Sequence, residues 1–142
     1  MCLLLFSPLA NGQNNCNCVD NPKYSSFINC DTITFNNDII LYRQFNCDSS
    51  WLTIEKKGFY KTILNKLNKR LIDLTPKLGY QFAHEYSNSI LFINRQVSGG
   101  GLPMNYELID KKTGTTIQKY RPIIYYSPNN SSEIIVTVIR VC

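Results

Sequence analysis

From Asp31 onward, turn-forming residues interrupt the chain at short intervals, and each interruption falls between two runs rich in β-branched and aromatic side chains. "TITF" passes through "NND" into "IILYRQF", and "SWLTIEKKGF" places Gly58 where a reversal needs a residue tolerant of positive φ. "YQFAHEYSNSILFINRQ" breaks at Ser87 to Ser89, "YELIDKKTGTTIQKY" at Asp110 to Gly114, and "RPIIYYSPNNSSEIIVTVIRV" around Pro128 to Ser132. Runs of this length, joined by turns of this chemistry, are what antiparallel neighbours require. Five such pairs in succession predict a mainly β chain arranged as an antiparallel meander.

One stretch breaks the pattern. In "YKTILNKLNKRLIDL", Tyr60, Ile63, Leu64, Leu67, Leu71 and Leu74 recur at helical spacing and would form one apolar stripe, with Thr75-Pro76 as the stop. This predicts one short helix around 60–74. The Asn and Thr residues are mediocre helix formers, and Phe59 to Leu64 also reads as the return strand of a hairpin about Gly58.

No low-complexity tract or linker divides the chain of 142 residues, so a single β-rich domain is expected over 13–142, with an irregular lead-in at 13–29. Ahead of it, the apolar run Leu3 to Leu9 precedes the small residues Ala10 and Gly12, and residues 1–12 resemble the back half of a signal peptide. That run is too short to span a bilayer. The expectation is export to the periplasm or the extracellular space. Cleavage near Gly12 would leave Cys16, Cys18, Cys30, Cys47 and Cys142, which an oxidising compartment uses first as staples. Neither the Cys16-x-Cys18 gap nor the single histidine suits a zinc site, and no metal or cofactor is expected.

The word Asn29-Cys30-Asp31-Thr32 returns as Asn46-Cys47-Asp48-Ser49. In a meander both copies fall at strand starts at one end of the sheet, where a cation between Asp31 and Asp48 is conceivable. Asx hydrogen bonds that fix the turns are the simpler reading. Cys30 precedes the first strand and Cys47 follows the second, so the two are expected to face each other across the hairpin as a disulfide.

The meander with its Asp-x-x-Thr-Gly turn, Asp110 to Gly114, resembles the four-strand blades of β-propellers and small exported bacterial proteins built from propeller-like pieces, over roughly residues 31–140. Two or three units cannot close a ring of about four or more blades. The resemblance therefore implies four-strand units packed in an open, layered arrangement.

Little in the chain points to catalysis. Strict alternation would put Tyr80, Phe82, His84 and Tyr86 on one strand face, an aromatic platform carrying the only imidazole. "SGGGLP", with Gly99, Gly100 and Gly101, lacks the Lys-Ser/Thr and the helix of a phosphate loop, but such a connection can meet a partner. There is no HExxH and no nucleophile elbow, which leaves a small secreted hydrolase using His84 with Glu55, Glu85 or Glu107 as the alternative. Charge is more informative. Between Lys56 and Lys77 seven basic residues stand against Asp73 alone, a segment able to steer an acidic partner.

The sequence therefore reads as a small exported non-catalytic binding protein, of the kind that includes periplasmic inhibitors and toxin-immunity proteins, with an acidic protein rather than nucleic acid as partner. Its candidate contacts are Lys66, Lys69 and Arg70 for charge and Trp51, Phe59 and Tyr60 as aromatic anchors, with the loop of Gly99, Gly100 and Gly101 as a separate candidate surface. A self-associating envelope component is the remaining alternative.

Overall fold

The computed structural model describes residues 16–75, 78–95, 105–121, 123–129 and 135–137. The expected leader, the glycines Gly99 to Gly101, Lys77 and Cys142 lie outside them. A short 3-10 turn, Pro22–Ser26, sits in the lead-in, followed by β1 (Ile33–Phe35), β2 (Ile39–Phe45), β3 (Ser49–Lys56) and β4 (Tyr60–Asn68). After α1 (Lys69–Leu74) come β5 (Gly79–Glu85), β6 (Ser89–Arg95), β7 (Asn105–Asp110), β8 (Thr116–Tyr120), β9 (Ile123–Tyr126) and β10 (Ile135–Thr137). These make two four-stranded antiparallel meanders, β1-β2-β3-β4 and β5-β6-β7-β8, and a β9–β10 pair. The fold is mainly β with open antiparallel sheets, and all five strand pairs of the sequence reading are present.

The turns follow their residues. Asn37 and Asp38 both take left-handed φ, 67° and 57°, which suits a tight hairpin between twisted strands. Asn29 Oδ1 accepts the Asp31 N–H at 2.7 Å and Asn46 Oδ1 accepts the Asp48 N–H at 2.9 Å, so the repeated word is a pair of Asx turns. At the β7–β8 turn the Asp110 carboxylate accepts the Lys112 N–H and the Thr113 hydroxyl, while Gly114 supplies φ of 70°.

The one short helix expected around 60–74 is present but confined to the end of that stretch. Residues 60–68 form β4, and only Lys69–Leu74 is helical, capped by the Asn68 side chain, which accepts the Leu71 N–H at 3.1 Å. The apolar spacing was ambiguous for a structural reason. The β3–β4 register slips between Leu52 and Thr53, which makes Leu64 an extra residue on β4. Tyr60 and Leu64 therefore reach the core on one side of the bulge and Leu67 on the other, reproducing a helical stripe in a strand. Ile63, which a helix would have buried with them, is 56 % exposed.

The inner face of the β1–β4 sheet, carrying Ile39, Leu41, Leu52 and Ile54, packs against Tyr80, Ile90, Phe92 and Ile109 of the β5–β8 sheet. The opposite side of the β5–β8 sheet, with Leu91, Tyr106 and Leu108, is covered by Tyr126 and Ile135 of the β9–β10 pair. A separate cluster fixes the lead-in: Cys18, Tyr24 and Ile28 pack with Phe45, Leu67 and Ile72.

Two disulfides staple that cluster, and their pairing corrects the expected one. Cys30 and Cys47 are both bonded, but Cys30 joins Cys16 and Cys47 joins Cys18. The expectation took the lead-in to be uninvolved. Instead it runs back across the sheet end, where Cys16 bridges Phe45 in parallel, and its cysteines reach both turns.

Candidate functional site

The alternation of β2 and β3 determines the outer face of the first sheet. Ile40, Tyr42 and Gln44 stand there, directly opposite Glu55, Thr53 and Trp51, and β4 adds Lys61, Ile63 and Lys66 against the same three β3 residues. Trp51 and Lys66, two of the residues expected to bind, are thus cross-strand neighbours. Between Lys61 and Lys66 lies the exposed Ile63.

The face is internally braced. Trp51 Nε1 donates to Gln44 Oε1 at 3.0 Å, which fixes the indole against β2 while leaving part of it exposed. The Tyr42 hydroxyl donates to Glu55 Oε2 at 2.7 Å, and Lys61 Nζ lies 3.6 Å from the same oxygen and 5.7 Å from the Tyr42 ring centroid. Burial raises the Tyr42 pKa above the phenol range, and its hydrogen bond with Lys61 is the main reason the Lys61 ammonium holds its proton more tightly than usual. Lys61 is therefore charged at any physiological pH. Trp51, Ile63, Lys61 and Lys66 together form an amphipathic strip along β3 and β4.

The other expected residues are distributed elsewhere. Phe59 is 77 % exposed at the β3–β4 hairpin tip, with Lys56 Nζ 4.9 Å from its ring centroid, and Lys57 is exposed beside it. Tyr60 faces inward: its hydroxyl donates to the Lys111 carbonyl at 3.0 Å, so it braces the second sheet rather than offering a contact surface. Lys69 is held by Asp73 at 2.6 Å and donates to the Tyr24 hydroxyl at 3.3 Å, whereas Arg70 is exposed on α1. The linear basic segment thus splits into hairpin tip, outer strip and helix. The sequence reading missed Lys61 and Ile63; the alternation of β4 against β3 would have found them had 60–68 been read as a strand.

His84 does not complete a platform with Tyr80 and Phe82. The β5–β6 register slips between Phe82 and His84, so Tyr80 and Phe82 turn to the first sheet while His84 turns to the β9–β10 side. Its ring packs edge-on against Tyr86, 4.7 Å between centroids, and beside Tyr126. Glu85 is engaged by Lys111, and Glu107 accepts from Asn94 and Thr116 on the other side of the sheet. Glu55, the third carboxylate, belongs to the outer face of the first sheet. None of the three is hydrogen-bonded to His84.

Among the described residues no three His, Cys, Asp or Glu side chains gather as metal ligands would, and no helix is long and apolar enough to cross a membrane. Comparison with protein families, with curated proteins and with solved structures finds no match to this chain.

Proposed function

We propose that this chain is a small exported binding protein, without catalysis of its own, that holds an acidic protein partner on the outer strip of β3 and β4. The observation that carries the reading is the Trp51–Lys66 pair beside Lys61 and the exposed Ile63. An aromatic anchor and an aliphatic side chain flanked by cations is a surface that buries apolar area while steering an acidic counterpart. Two disulfides support an oxidising compartment. The engagement of Glu55, Glu85 and Glu107 with partners other than His84 weighs against the hydrolase alternative. On this reading the two four-strand meanders are the scaffold, propeller-like units of a protein of the inhibitor or immunity class.

The test is crosslinked capture of the partner from the native source, followed by association kinetics at low and high salt. Lys66→Glu should slow association, with the difference shrinking as salt rises. Trp51→Ala should act mainly on dissociation. Association that ignores both salt and Lys66→Glu would show the strip to be only a solvated face.

A further inference from the structure

The inner face of the first sheet has two covers, with a seam between them. The β5–β8 sheet lies over Ile39, Leu41 and Ile54, whereas the lead-in and α1 lie over Phe45 and Leu67. Along the seam is a cavity of about 300 Å³. Its floor is Arg43, Ser50 and Leu52 of β2 and β3, and its walls are Tyr80 to Phe82 of β5 on one side and Phe27 to Asn29 of the lead-in on the other.

Two polar groups on that floor are unusual. Arg43 donates from Nη2 to the Tyr80 carbonyl at 3.0 Å, and no carboxylate of the described residues lies within ion-pair distance of it. Arg43 is half-buried, and that desolvation lowers its pKa from the ordinary arginine value. Ser50, in the neighbouring strand, is 2 % exposed, and its Oγ has no hydrogen-bond partner among the described residues. A guanidinium cannot escape the cost of burial by losing its proton, and a buried hydroxyl without a partner is likewise costly. Both are explained if the seam is built to receive an acceptor.

We propose that the seam binds a small organic carboxylate, its head group on Arg43 and Ser50 and its apolar body against Ile28, Leu52 and Phe82. The planar fork of arginine matches a carboxylate in two parallel hydrogen bonds, and rotation of the buried Ser50 hydroxyl toward the cavity would add a third donor. A single cation compensates a single negative charge. Asp31, which also lines the cavity, repels any anion, so the single charge of a carboxylate is tolerated better than a phosphate dianion, whose second charge has no cation to meet it. The volume is at the small end of ligand sites, about 300 to 1,000 Å³, which restricts the body to a short chain or one ring. The site lies on the opposite face of the sheet from Trp51 and Lys66, so it is independent of the partner-binding strip.

The experiment is a ¹H–¹⁵N NMR titration of the oxidised protein with hexanoate and phenylacetate, with hexanamide as the neutral analogue and inorganic phosphate as the anion without a body. The expected result is saturable shifts confined to the amides near Arg43, Ser50 and Tyr80, with hexanamide much weaker than hexanoate. Arg43→Met should weaken carboxylate binding by roughly tenfold or more, as loss of a charge-assisted hydrogen bond implies. Arg43→Lys keeps the charge without the fork and Ser50→Ala removes the hydroxyl, so both give folded comparisons if Arg43→Met does not fold; each should bind more weakly than wild type. The proposal is overturned if no saturable shift occurs at those amides at millimolar concentration, if hexanamide or phosphate binds as well as hexanoate, or if Arg43→Lys and Ser50→Ala both bind as wild type does.

Discussion

Lys111 shows what a single buried charge does in this fold. Its side chain is 3 % exposed, and its ammonium donates to Glu85 Oε1 at 2.6 Å and to the Ser87 carbonyl at 3.4 Å. The same Glu85 oxygen accepts the Asn36 N–H at 2.9 Å, so one ion pair ties the β7–β8, β5–β6 and β1–β2 turns together. Glu85→Ala strands the buried cation and should cost about 2 to 3 kcal/mol, somewhat less than a fully enclosed pair because Glu85 keeps some contact with water. Lys111→Met removes the cation while keeping the apolar stem, and should cost less than Glu85→Ala. Lys61→Ala, which breaks an exposed pair, should cost under about 1 kcal/mol. Urea denaturation of the three variants gives the order, and Lys111→Met proving the worst would show that the charge itself stabilises the fold. Gly114 gives a second residue-level case. Its φ is 70°, and a Cβ there would collide with the Tyr60 ring. Gly114→Ala should therefore destabilise by about 1 to 3 kcal/mol, with the unfolding midpoint in urea as the measure.

At the scale of elements, α1 is too short to hold itself and depends on its ends and its docking. Tyr24 donates to Asp73 Oδ1 at 2.6 Å, and Lys69 bonds both groups. The Lys69 hydrogen bond, followed by that of Tyr24, holds the Asp73 carboxyl below the usual carboxylate range, and Asp73 in turn raises the Lys69 pKa. The Asp73 contribution is present above its unfolded-state pKa and lost as pH falls through the depressed folded value. The Lys69 contribution is complete below its unfolded-state pKa and lost as pH rises through the raised folded value. Docking of α1 should thus be flat through neutrality and weaken at both extremes, with the acid step vanishing in Asp73→Asn; the Tyr24 ring resonances report both steps. The same region marks how far the sequence could be read. Strand pairs and turns were legible because Asn, Asp and Gly announce each reversal. The boundary between β4 and α1 was not, since one bulged residue, Leu64, lets a strand bury residues at helical spacing. The bulge after Phe82 concealed the true face of His84 in the same way. Of the proposed binding strip, Trp51 and Lys66 were legible from residue type and local charge. Lys61 and Ile63 were not, because their position depends on the β3–β4 register.

For the whole molecule, the decisive devices are the interlocked disulfides, Cys16 to Cys30 and Cys18 to Cys47, which the spacing of the cysteines could not specify. They tie the lead-in to the two Asx turns and seat Tyr24 and Ile28 in their own cluster, apart from the packing between the two sheets. Trypsin cuts after Lys23, Arg43 and Lys56, which leaves Cys16 and Cys18 together on one peptide and Cys30 and Cys47 on two others. The non-reduced digest should therefore yield one three-peptide species, whereas a Cys30–Cys47 bond would yield a two-peptide species without the peptide that carries Cys16 and Cys18. Each closed loop confers roughly 3 kcal/mol on the chain-entropy model, and less in sum because the loops overlap. The sheets do not depend on that term in the same way, since the Ile54–Ile90–Phe92–Ile109 packing is formed without the lead-in. Reduction should accordingly open the molecule in part: amide hydrogen exchange should rise across residues 16–30 and α1 while β5 to β7 stay protected. Protection lost at one rate throughout the chain would show instead that the lead-in and the two sheets form a single cooperative unit. In that case the seam around Arg43 would close and open only with global folding.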